Sequence, residues 1–539
     1  VILLVSCSLT EHPKDQIPEE QAYTTARQLY QNTVATLYNY IGGDADGQGL
    51  QGTCRGVYDL NTFGSDEAML PTRGGDWYDG GLWQAMYKHS WAPGHDLCKN
   101  AWLYLYKVIT LCNRSLETLQ AHGNLVDAAT LRGYQAEVRA CRAMYYWYLM
   151  DLFGNVPLIT SSDVSMSQVT QEKRSVTFAF IVKELQTVLP DLADENSVKS
   201  GYYYGRVTRP VACFILAKLM LNAEVYGDDD WTDGQRPDGS RMKFSVDGQT
   251  MNAWQATVYY CDKLDASFAL MPNYRDNFLV HNETSTENIF VIPMDKNLYA
   301  NQYQYLFRSR HYNHGGALGM AAENGTCATL STLQAYGYGT SATDSRYAIN
   351  FYSDTLRIDG RIVRLDNGEA LVYKPLEVRL NLSGSAYEKT AGARMAKYEI
   401  DRTAYANGKL QDNDIVLFRY ADVLLERAEA LAQLGGSHLQ EALALVNQLR
   451  RRAKQSTAAI ANYESQYGVR LNVGQYTGSY NQAQTLKIVK MERRLEMGME
   501  SERFFDLVRW GEAASVINKY YAEESNDCAI YNGAHFTAN

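Results

Sequence analysis

DIVLFRYADVLLERAEALAQLGGSHLQEALALVNQLR, residues 414–450, carries the clearest helical pattern in the chain. Leu417, Tyr420, Leu424, Ala428 and Leu431 recur at three- and four-residue steps and so share one face of a helix, for which Asp414 is the candidate N-cap. Gly435 stops that helix, and from Leu439 a second one sets Ala442, Val446 and Leu449 on its own face. Two short helices with apolar faces, joined at a glycine, predict a helical hairpin.

Outward from that unit the same pattern recurs in weaker form. AEVRACRAMYYWYLMDLF (Ala136–Phe153) is helix-forming and apolar on more than one face, with Gly154 as its stop and Pro157 beyond. Thr208 is placed to cap a helix with Pro210 in its first turn, running through Phe214, Leu216, Leu219 and Leu221 to Gly227. A further helix spans about 253–268, with Trp254, Val258, Cys261, Leu264 and Phe268 at helical spacing. The 414–454 unit resembles a tetratricopeptide hairpin whose turn is two residues longer than usual, and the units around 134–158, 207–227 and 253–270 read as single limbs of similar, degenerate hairpins. The predicted fold is therefore mostly α. Four irregular tetratricopeptide-like helical hairpins form a scaffold, and long loop-rich insertions near 42–83, 228–252, 295–345 and 461–482 carry the ligand face.

Composition excludes several functions. The chain has 539 residues and a net charge of -10, and no basic run exceeds Arg450–Arg452, so nucleic acid would meet net repulsion. No later stretch has the eighteen or more consecutive apolar residues of a membrane span, but Val1–Ser6 form an apolar run closing on Cys7, as at the end of a lipoprotein signal. Cys7 is accordingly the expected lipidation site, residues 1–7 a signal remnant, and 8–539 one domain trimmed at both ends. The other eight cysteines show no C-x-x-C spacing; a Cys98–Cys112 disulfide is one option and buried free thiols the other. No cofactor is implied. His311 and His314 are three apart but lack a third metal ligand nearby.

The chain is rich in rings, with 40 tyrosines and 8 tryptophans. Tyr145, Tyr146, Trp147 and Tyr148 point all round one helix and are expected in the core. In ERRLEMGMESERFFDLVRWG (Glu492–Gly511) charges of both signs interleave with Leu495, Met499 and Phe505, which predicts an ion-pair network pinning this segment to the hairpins rather than a catalytic site.

Ligand candidates lie in the loops. PTRGGDWYDGGLW (Pro71–Trp83) joins four glycines to Arg73, Asp76, Trp77, Tyr78 and Trp83. A pyranose has an apolar C–H face that stacks on an indole and a hydroxyl edge satisfied by planar donors and carboxylates, so Trp77 with Arg73 and Asp76 is a candidate platform. Tyr303, His311 and Tyr312 form a second aromatic cluster, followed by Asn324.

Three segments, Ala136–Leu158, Asp414–Leu431 and Glu492–Gly511, each resemble a signature of the SusD/RagB family, in the family's order. The resemblance implies a non-catalytic surface lipoprotein of a Bacteroidetes outer membrane that binds oligosaccharides, or in some branches peptides, as the lid of a SusC-like TonB-dependent transporter. It also implies a stacking ring near Trp77 and a second at Tyr303 or Tyr312. Where some relatives carry a tryptophan after Asn-Gly, this chain has Thr326 after Asn324 and Gly325. Two other classes stay open: a glycoside hydrolase using Asp76 and Asp79, and a protein-interaction scaffold with inert loops.

Overall fold

Helices dominate the computed structural model, which describes residues 22–42, 47–298, 308–405, 408, 410–455 and 457–524. Cys7 lies outside the described residues. The first hairpin joins α1 (Asp96–His122) to α2 (Ala128–Phe153). Helix α1 buries Leu97, Ala101, Leu105, Val108 and Cys112, a stripe at helical spacing that the reading of the sequence had not assigned. Asp127 caps α2 by accepting from the Ala129 and Thr130 N–H groups at 2.9 and 3.0 Å, so the helix begins eight residues before Ala136; Gly154, with φ +69°, ends it. The four consecutive rings from Tyr145 to Tyr148 are all buried.

Next come α3 (Arg174–Val188), α4 (Arg209–Leu221) and α5 (Ala253–Asp262). Thr208 precedes α4 but does not cap it, because its hydroxyl makes no bond to the first turn, and the helix breaks at Asn222 before Gly227. Asn252 and Gln255 form a capping box on α5, which stops short of Phe268. Helices α4 and α5 pack on each other, so the 207–227 and 253–270 units are two limbs of one hairpin rather than limbs of separate ones.

The 414–454 unit gives α6 (Tyr420–Leu434) and α7 (His438–Ala453), which pack together as expected. Asp414 is not the cap. A strand β1 (Asn288–Ile292) pairs antiparallel with β2 (Ile415–Arg419), and Asp414 instead accepts from Met294 N–H and the Tyr204 hydroxyl. The β-branched and aromatic residues Ile415, Val416 and Phe418 favour the ladder, which overrides the helical spacing of Leu417 with Tyr420.

Helices α8 (Gln482–Glu496) and α9 (Arg503–Arg509) complete the scaffold. The charges of Glu492–Gly511 within and between them are largely buried and paired. Arg493 contacts Asp422, Glu502 and Asp506; Lys218 of α4 contacts Asp422, Glu426 and Glu502; and Arg509 contacts Glu429. Trp510 donates to Glu429 at 2.9 Å. The segment thus ties α4, α6, α8 and α9 into one block, as its charge pattern predicts.

Two expectations change. Cys98 and Cys112 stand fourteen residues apart on α1, about 21 Å along the axis, beyond disulfide reach, and both are free. Much of the expected 42–83 loop is interior: helix Val57–Phe63 is buried throughout, and Ala68–Met69 pairs with Cys327–Ala328. No helix among the described residues is long and apolar enough to cross a membrane.

Candidate functional site

The Ala68–Met69 pairing brings two distant loops together. Beyond it, Arg73 and Asp76 close a tight turn on each other's backbone at 3.0 and 3.2 Å, and Trp77 follows in the left-handed region with φ +63°. A bulky aromatic residue is uncommon there, so contacts must hold it. The Trp77 Nε1–H donates to the Glu323 carbonyl at 2.7 Å, its ring meets Trp83 edge-on at 6.0 Å, and the indole lies across Gly325. A Cβ on Gly325 would sit 2.8 Å from the indole, so this close approach requires glycine.

Trp77 is half-buried; Tyr78 beside it is 53% exposed and Tyr312 43% exposed. The Tyr312 hydroxyl donates to Asp76 Oδ2 at 2.8 Å, and Lys389 Nζ reaches the same oxygen at 3.0 Å. Partial burial alone would raise the Asp76 carboxyl, but the bonds from Tyr312 and Lys389 hold it below its ordinary value. The result is a carboxylate–ammonium pair fixed by the Tyr312 phenol, with the Trp77 indole and the exposed Tyr78 following Asp76 in the chain. Asp79 is similarly committed, accepting from Arg55 Nη2 at 2.7 Å and Trp83 Nε1 at 2.9 Å.

Several expected ligand residues face inward. Arg73 is fully buried, and its guanidinium donates to the carbonyls of Gly325, Glu388 and Ala391. Burial, with the Arg394 charge next, lowers it to about 9. It is a strut that fixes the Gly325 backbone under Trp77, not a donor facing solvent. His311 is buried too: its Nδ1 accepts from Asn313 N–H at 3.0 Å and caps helix Tyr312–Leu318, and burial lowers it to about 4. Asn324 is buried with φ +51°, and its amide atoms have no hydrogen-bond partner among the described residues. Thr326 is also interior and accepts from Arg308 Nε at 3.1 Å. Trp83 is core, and Tyr303 lies outside the described residues.

The structure thus brings Asp76 and Tyr312 into contact next to Trp77, leaves Tyr78 exposed after it in the chain, and turns Arg73, His311 and Asn324 inward. Reading the sequence missed Lys389 and Arg55. Lys389 reaches Asp76 from 313 residues away, and no local pattern announces it. Arg55 was readable only as a charge near an acidic loop.

Comparisons with known proteins agree with this architecture. The family model described as the SusD family matches residues 266–536, and one described as starch-binding, associating with the outer membrane, matches residues 59–238. The starch-binding protein SusD of Bacteroides thetaiotaomicron is 24% identical over 442 residues, covering 76% of this chain and 73% of that protein. Among solved structures, a SusD-like carbohydrate binding protein of Bacteroides fragilis superposes with a TM-score of 0.67 at 19% identity, covering 92% of this chain and 88% of that one. Surface glycan-binding protein A of Bacteroides thetaiotaomicron, solved with laminarihexaose, gives 0.63 at 18% identity, with 92% of each chain covered.

Proposed function

The chain belongs to the SusD family, and from that premise we propose that it is a non-catalytic outer-membrane lipoprotein, anchored through Cys7 and facing the cell exterior. It binds oligosaccharides on the Trp77 face and hands them to a SusC-like TonB-dependent transporter. The observation that carries the reading is the fixed indole: Trp77 is held in a strained backbone conformation by Glu323, Trp83 and Gly325, beside two exposed phenols and a paired carboxylate. Relatives described as binding starch or laminarin support a carbohydrate ligand.

Two or three stacked rings at roughly 1 kcal/mol each, with a few hydrogen bonds of similar net worth, total about 4–7 kcal/mol. That corresponds to dissociation constants from about millimolar to micromolar. Such binding releases its cargo quickly, which suits transfer to a transporter. The carboxylates argue against hydrolysis. A glycosidase needs one acid kept protonated near neutrality, whereas Asp76 is stabilised as an anion and Asp79 is ion-paired.

The test is retardation of the purified protein in gels containing soluble starch or laminarin, with Trp77→Ala beside the wild type. Retardation of the wild type that falls at least tenfold in apparent affinity in the variant is expected. Wild-type protein that ignores every glycan, or a variant retarded equally, would overturn the proposal, as would reducing ends released in an Asp76-dependent manner.

A further inference from the structure

A pocket of about 460 Å³ opens between the first turns of α2 and the segment 191–207, formed by a set of residues separate from the Trp77 face. In its floor the buried Arg206 clasps Glu137 through Nε at 2.9 Å and through Nη2, and Glu137 also accepts from the Tyr38 hydroxyl. The Arg206 guanidinium carbon lies 5.0, 4.4 and 4.8 Å from the ring centroids of Tyr30, Tyr202 and Tyr203. Those stacked contacts fix the phenols in place. Tyr134 also lines the pocket, its side chain against that of Tyr202, and Tyr202 is 60% exposed.

Gly133, inside α2, is the informative residue. Glycine in a helix interior is unfavourable relative to alanine. Here no neighbour requires it, since an added Cβ would meet only the Asp191 carbonyl, at 3.8 Å. Backbone and packing both admit a side chain, and the space that it would fill is the pocket.

We propose that this tyrosine-lined pocket is a second carbohydrate site, taking one pyranose unit. The sugar's C–H face would lie on Tyr202, and its hydroxyl edge would meet the polar rim at Thr130, Tyr134 and Asp191. The volume falls in the range of small-molecule pockets, and an apolar ligand is disfavoured by the charged and hydroxylated lining. The proposal rests on the carbohydrate-binding reading but not on Trp77.

Calorimetric titration separates the two. A panel of neutral oligosaccharides that includes laminarihexaose and maltohexaose is titrated into wild type, Trp77→Ala, Gly133→Phe and Tyr202→Ala, with melting curves to confirm folding. Two binding events in the wild type, one of them weakened at least tenfold by Gly133→Phe and by Tyr202→Ala and retained in Trp77→Ala, are expected. If the wild type binds sugar while both pocket variants titrate like it, the second site is overturned and the Trp77 face stands. Wild type that binds no member of the panel overturns both.

Discussion

Glu496→Gln removes one charge and almost no volume from the densest part of the interior. The Glu496 carboxylate, fully buried, receives Arg346 Nη1 at 2.8 Å, Arg419 Nη1 at 2.7 Å and Arg452. Around it Arg346, Arg419, Arg450, Arg452 and Lys397 face Asp344, Glu287, Glu492, Glu496 and Glu500, five cations against five carboxylates. The cluster is balanced, so the amide leaves one positive charge without a counter-ion in a site closed to water. Breaking a buried pair in this way costs about 3–5 kcal/mol, a large share of the stability of an ordinary domain. Burial by itself would raise the Glu496 carboxyl, but Arg452, Arg419 and Arg346 outweigh it and hold it well below the usual carboxylate range. The folded-state value being the lower one, this stabilisation is present above the unfolded carboxylate range and is lost as pH falls, so the gap between variant and wild type narrows in acid. Urea unfolding at pH 7 followed by tryptophan emission measures the loss. Adding Arg452→Met to Glu496→Gln restores the charge balance and is expected to recover at least about 1 kcal/mol relative to the sum of the single changes. A single-variant loss under about 1 kcal/mol, or a double variant that is simply additive, would refute the account of the network as a balanced, dry cluster.

Trp77→Phe keeps a ring but loses the bond to Glu323, worth about 1 kcal/mol, so gel retardation by glycan should weaken by less than in Trp77→Ala; equal losses would mean that the ring itself does not stack. Asp414 is pushed up to about 7 by burial, against the opposing bonds from Tyr204 and Met294. With the folded value the higher one, its contribution is fully present below the unfolded range near 4 and is lost as pH rises through 7. Melting temperatures of Asp414→Asn should accordingly fall less than those of the wild type between pH 5 and pH 8.5, and parallel curves would contradict the assignment.

Much of the scaffold was legible because its signals are local. Helix α6 announces itself through Leu424, Ala428 and Leu431, and the α8–α9 ion pairs through alternating charge, whatever the tertiary partners. Asp414 misled because a cap and a strand edge look alike in sequence. Only pairing with residues 288–292 decides between them, and that information sits more than 120 residues away. The same limit governs the site. Rings in a glycine-rich turn marked Trp77 and Tyr78, but the direction of each polar neighbour depends on contacts that no short window contains. Arg73 looks like a sugar donor until the Gly325 carbonyl arrives from 252 residues away to claim it, and His311 looks like a site histidine until it is seen to cap the next helix. Helix α1 was missed despite a clear stripe from Leu97 to Cys112, which the spacing rule alone would have found.

The first and last parts of the scaffold close on one another. Asp66, buried and just ahead of the Trp77 turn, is neutralised by Arg494 and Arg503, and the Tyr58 hydroxyl donates to the Met499 carbonyl across 441 positions. Among the described residues, the cations that pair with this acid both come from the 492–511 segment. Segments some four hundred positions apart must therefore meet before the platform loop is braced, a topology of high contact order that slows folding.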